Sequence, residues 1–135
     1  MEFVWDVPAE LHDGMPLVYK RCALLSALIK SKRQAREAAA IDATIVNDLH
    51  ASRGNFVAVL DLKDVRFRPC IYTFIKESVR LQAARPYHTY IVNMPGWGAK
   101  VFQLARKWLN EDDVATCTTQ KGPWTGVTTI ECIGP

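Results

Sequence analysis

What this chain lacks narrows its function first. Its four cysteines, Cys22, Cys70, Cys117 and Cys132, form no C-x-x-C pair and have no histidine close by in sequence. Zinc sites are usually built from paired ligands, and small secreted scaffolds carry denser cysteines. Reduced, mostly buried thiols are therefore expected, and no metal site is assigned. No run approaches the ~20 apolar residues of a membrane-spanning helix. The N-terminus, Met1-Glu2-Phe3-Val4-Trp5-Asp6, is acidic early and has no apolar signal core. A cytoplasmic location is the expectation. There is no repeat, low-complexity tract or long block of like charge. A net charge of +3 is too small to argue for nucleic acid.

Catalytic signatures are missing too. His12, His50 and His88 lie on three separate segments, and no Ser or Cys sits in a nucleophile elbow, so an acyl-transfer triad is not expected. Gly96-Trp97-Gly98 lacks the third glycine and the later acidic residue of a dinucleotide fingerprint. These glycines read as a tight turn from strand to helix. Asp61, near the end of an apolar run, could serve as acid, base or ligand. Its commoner role at such a place is to cap a helix or orient a loop. No catalytic residue and no cofactor is assigned, and an enzyme is not the expectation.

What is present is enough apolar material for one ordinary domain: 49% of 135 residues are apolar and 23% charged. Residues 1–135 are read as a single α/β domain. Two strand-like runs, Phe56-Val57-Ala58-Val59-Leu60-Asp61-Leu62 and Tyr87-His88-Thr89-Tyr90-Ile91-Val92-Asn93-Met94, are separated by an amphipathic helical segment, and another helical segment follows. This is the pattern of a parallel β-α-β-α unit, whose crossovers should be right-handed.

Upstream, residues 3–7 alternate and are β-prone. Pro8 and Asp13-Gly14 bracket a loop, and residues 16–20 read as a second strand, so the two could form an antiparallel hairpin. A helical region follows over 23–52, broken near Lys30-Ser31-Lys32-Arg33. In its second part Ala38, Ile41, Ile45 and Leu49 share a face, with Arg36, Glu37, Asp42 and Asp48 available for water. Arg53-Gly54-Asn55 ends it. Pro69 suits a first helical turn, after which Ile71, Phe74, Ile75 and Val79 form one stripe. A helix is expected over 97–110, a short strand over 114–118 and a longer one over 126–133. The whole predicts a central mixed, largely parallel sheet of about five strands flanked by helices. In open sheets of this class, ligands tend to bind beyond the carboxyl ends of the strands, which directs attention to Asn93-Met94-Pro95-Gly96-Trp97-Gly98.

Several of these stretches resemble the CRAL-TRIO lipid-binding domain. Asp13-Gly14-Met15-Pro16-Leu17-Val18-Tyr19 is similar to that family's first strand after its turn. Val59-Leu60-Asp61-Leu62-Lys63-Asp64-Val65 is similar to its central strand, and Tyr90-Ile91-Val92-Asn93-Met94-Pro95 to its signature strand end. Phe102, Trp108 and Leu109 sit where its next helix carries apolar residues, and the resemblance covers residues 13–113. It implies non-catalytic binding of a lipid or other apolar ligand, held between the sheet and the helix of residues 97–109. The ligand-binding candidates are Asn93, Trp97, Val101, Leu104 and Trp108. Lys100, Arg106 and Lys107 are candidates for contact with anionic head groups or a protein partner, and peripheral membrane contact is an expectation without a transmembrane segment. A STAS-like architecture is the alternative: a protein-interaction or assembly domain without a lipid cavity, able to form a homodimer. The regulatory serine of that family would fall near Arg68-Pro69-Cys70, where there is none.

Overall fold

The computed structural model describes residues 1–10, 14–105, 107 and 117–119, with backbone only at 8, 9, 101, 102, 104 and 105. The chain opens with a hairpin. β1 (Asp6–Glu10) runs antiparallel to β2 (Pro16–Arg21), pairing Asp6 with Tyr19 and Glu10 with Pro16. The first strand therefore starts later than residues 3–7 and passes through Pro8 instead of stopping there. Two features permit this. β1 lies at the sheet edge, and its register shifts between Asp6 and Ala9, so proline's missing N–H breaks no continuous ladder.

β2 passes directly into α1 (Cys22–Leu28), which ends at extended Ile29. α2 (Lys32–Arg53) then starts at Ser31, whose hydroxyl accepts from the Gln34 amide at 3.1 Å, while Gln34 Oε1 accepts from the Lys30 amide at 2.7 Å. This exchange of side-chain caps accounts for the break expected near Lys30. Gly54, at φ +78°, terminates α2 and donates its N–H to His50 O at 2.8 Å.

β3 (Val57–Asp61), α3 (Pro69–Leu81, with Pro69 in its first turn), β4 (His88–Val92), α4 (Gly98–Ala105) and β5 (Cys117–Thr119) complete the described elements. The helix expected over 97–110 is described from Gly98 through residue 105, and the strand expected over 114–118 is described from Cys117, its earlier residues lying outside the described ones. The strand expected over 126–133 lies outside the described residues. The five strands stand in chain order, β1-β2-β3-β4-β5, with β2 through β5 parallel. The architecture is α/β with a mixed, mostly parallel sheet flanked by helices.

Chain order has a consequence for function. Right-handed crossovers between successive neighbours put their helices on one face of the sheet. Alternation along the strands then divides the core in two. Val18, Phe56 and Ala58 face the helices and cluster with Leu25, Ala38, Val46 and Ile71. Leu17, Val57, Val59, Tyr90 and Val92 face the other way and cluster with Met15 and Tyr19, and no residue of α1, α2 or α3 belongs to that group. Among the described strands the order never reverses, so they form no switch-point crevice of the kind in which doubly wound folds hold their ligands. Among the described residues no helix is long and apolar enough to cross a membrane.

Candidate ligand cavity

A space of about 230 Å³ lies between the sheet and α3. Its floor is Ala58 and Leu60 of β3, Thr89 and Ile91 of β4, and Cys117 of β5. Its roof is the stripe read from the sequence, Ile71, Phe74, Ile75 and Val79 of α3. Met94, Trp97 and Gly98 close the side toward α4. The Trp97 ring packs at 5.5 Å against Phe67, which is itself exposed. Gly98 permits this corner: a Cβ there would lie 2.5 Å from Met94 Cγ, inside van der Waals contact.

A polar group occupies another part of the lining. The Lys20 ammonium meets Asp42 Oδ1 at 2.9 Å, and the Trp5 indole N–H donates to the same oxygen. Gln82 Nε2 donates to Asp42 Oδ2 at 2.8 Å, and the Lys20 ammonium stands 5.6 Å from the centre of the Trp5 ring. Lys20 is 8% exposed and Asp42 1%. Asp42 was expected to face water; it is one of the most buried side chains in the protein. The desolvation cost of its charge is offset by a paired ammonium and two further donors, the condition under which carboxylates are buried. The network ties the segment before β1 to β2, α2 and the C-terminal end of α3. Ser78, one helical turn before Gln82, also lines the cavity. It is 7% exposed, and its hydroxyl has no hydrogen-bond partner among the described residues.

Sequence reading did not single out Lys20, Asp42, Ser78 or Gln82. A signal existed for two of them. Asp42 lies four residues after Ala38 and four before Val46, so it shares their buried face. Ser78 lies three after Ile75 and four after Phe74, inside the α3 stripe.

The second buried carboxylate stands at the carboxyl end of β3, on the sheet face away from the helices. Asp61 accepts from Asn93 Nδ2 at 2.8 Å, from the Lys63 amide at 3.0 Å and from the Tyr19 hydroxyl. Burial pulls its pKa upward, but the hydrogen bonds from Asn93, Tyr19 and Lys63 outweigh that and hold it below the usual carboxylate value. The Tyr19 hydroxyl is pushed up to about 12, by burial first and by its bond to the carboxylate second. The Asp61 contacts fasten the turns after β3 and β4, where Asn93 takes a left-handed φ of +54° that asparagine accommodates. With three donors on it, Asp61 has an orienting role in these turns.

Of the residues singled out for ligand binding, Trp97 lines the cavity, whereas Asn93 is engaged with Asp61. Val101 and Leu104 lie on α4, with only their backbone described, and Trp108 falls outside the described residues. Lys100 on α4 and Lys107 beyond it are exposed, and Arg106 lies outside the described residues. Among the described residues no cluster of His, Cys, Asp and Glu could hold a metal. No family model matches the chain, and no curated protein matches it.

Proposed function

We propose that this protein binds a compact apolar ligand, without catalysis, in the cavity beneath α3, as a reduced domain of CRAL-TRIO type. The observation that carries this reading is the cavity itself, walled by aliphatic and aromatic side chains and bounded by Trp97. Well-packed cores leave few voids larger than a water molecule, so 230 Å³ of apolar space is a feature that needs a use.

Its size limits the cargo. It is about half again the ~150 Å³ of an engineered cavity that takes benzene. It falls below the ~300–1,000 Å³ typical of sites for drug-sized ligands. A fused bicyclic ring or one medium-length chain fits this scale; a whole two-chain phospholipid does not. Binding would draw on apolar burial, at about 25 cal/mol per Å² removed from water.

Native mass spectrometry of the purified full chain, with solvent extraction of the same sample, tests the reading. The expected result is a co-purifying apolar molecule, or saturable uptake of an added bicyclic probe. A ligand-free mass, no uptake and a concentration-dependent dimer would overturn it in favour of an interaction domain of STAS type.

A further inference from the structure

We infer that Ser78 is the polar anchor of the ligand, and that the ligand is accordingly an apolar body carrying one neutral hydrogen-bonding group, such as a hydroxyl. This inference rests on the binding reading and adds the chemistry of the occupant. Besides Ser26, which donates to Ala23 O, exposed Arg85 and half-buried Thr89, four polar side chains of the lining decide it. Asp42 receives Lys20, Trp5 and Gln82, so the Lys20 ammonium, the Asp42 carboxylate and the Gln82 amide are all engaged within the protein. Ser78 differs from them: its hydroxyl is buried and makes no hydrogen bond among the described residues.

A buried hydroxyl left unpaired is costly, and native proteins carry few of them. Removing this one would need only alanine, which suits a helix better than serine does. A hydroxyl can both donate and accept, so it can serve an alcohol, phenol or amide without a compensating charge. It cannot itself neutralise a carboxylate, and Arg85, the exposed cation of the lining, is already engaged. Ser78 lies on α3 among Phe74, Ile75 and Val79. A ligand lying under this helix would therefore place its polar group beside Ser78 and its apolar body along the stripe.

The experiment is a calorimetric titration of the full chain and its Ser78→Ala variant with naphthalene, 2-naphthol and 2-naphthoate. These probes share one ring system and differ in the polar group. The wild-type protein is expected to take up naphthalene and 2-naphthol and to bind 2-naphthoate more weakly than 2-naphthol. In Ser78→Ala the affinity for naphthalene should hold, while the ratio of 2-naphthol to naphthalene affinity falls roughly tenfold, the scale of one buried hydrogen bond. An unchanged ratio, with naphthalene still bound, overturns the anchor and leaves the cavity reading standing. Binding of 2-naphthoate as tight as 2-naphthol overturns the neutral head group. No uptake of any of the three by wild-type protein sinks the cavity reading and this inference with it. Circular dichroism of the variant keeps a folding defect from passing as lost affinity.

Discussion

α2 and α3 both lie on the same face of the sheet, yet one is seated closely and the other stands over a cavity. The buried face of α2 is built from Ala35, Ala38, Ala39 and Ala43, with Val46 beyond them. Side chains this small let a helix approach its neighbours closely, and three of the four alanines have no exposed surface at all. α3 presents Ile71, Phe74, Ile75 and Val79, of which only Ile71 is buried; the others are half-buried and border open space. A strong apolar stripe therefore says that a helix covers a core, and says little about whether the core is full. Side-chain volume against the volume available settles that.

The largest effect expected concerns the joint between the two helices. Asp42→Ala strips the counter-charge from the buried Lys20 ammonium and leaves the Trp5 and Gln82 donors without their acceptor. The cost should be about 3–5 kcal/mol in urea unfolding. The double change Lys20→Met with Asp42→Leu should recover part of that loss, because it removes both charges together while the Trp5 and Gln82 donors stay without their acceptor. A single-variant cost near zero would mean that Lys20 swings out to water and that the network does not join α2 to α3.

Next in size is a contrast of added volume. Ala38→Leu forces three extra carbons into a close-packed seat and should cost about 1–3 kcal/mol. Val79→Phe adds four carbons under α3, where space exists, and should change stability by less than about 1 kcal/mol while weakening uptake of a bicyclic probe. Paired unfolding curves check both. Equal destabilisation at the two sites would show that the difference in packing between the helices is not real.

The order of elements was legible because each signal was local. The polar break at Lys30-Ser31-Lys32-Arg33 precedes α2, Gly54 marks its end and Pro69 the start of α3, and the runs around Val59 and Tyr90 are strongly apolar and buried. β1 was misplaced because Pro8 reads as a strand breaker unless the strand is known to be at an edge, a property set by the other strands. The site was less legible for the same kind of reason. Trp97 follows a recognisable strand end, and it lines the cavity. Asp42 and Ser78 are ordinary residues in helical stretches, and their importance comes from what faces them across the fold: Lys20 and Gln82 for one, no hydrogen-bond partner among the described residues for the other.

A smaller effect should separate Ser78 from the polar residues around it. Replacing a satisfied buried group destabilises, but replacing an unsatisfied one relieves a penalty. Ser78→Ala should therefore raise the stability of ligand-free protein by about 1 kcal/mol. A loss of that size would mean that the hydroxyl has a partner in solution and that the cavity's polar demand is already met.

The smallest effect lies on the face of the sheet away from the helices, where the Tyr19–Asp61 bond couples β2 to β3. Tyr19 ionises near 10 in an unfolded chain and at about 12 in the folded one. Between those values the folded state holds a proton that the unfolded state has lost. The contribution is thus fully present below about pH 10 and disappears as pH rises toward about 12. Asp61 acts with the opposite sign: its folded pKa is lowered, so its contribution is complete above the ordinary carboxylate pKa and lost as pH falls through the folded one. Both groups are in partial contact with solvent, which keeps each limb shallow. Urea midpoints at about pH 9 and about pH 11 should fall more for the wild type than for Tyr19→Phe, which has no phenol to ionise at this position. Equal losses would assign the alkaline limb to other groups, such as the Cys22 thiol, which burial pushes up to about 12.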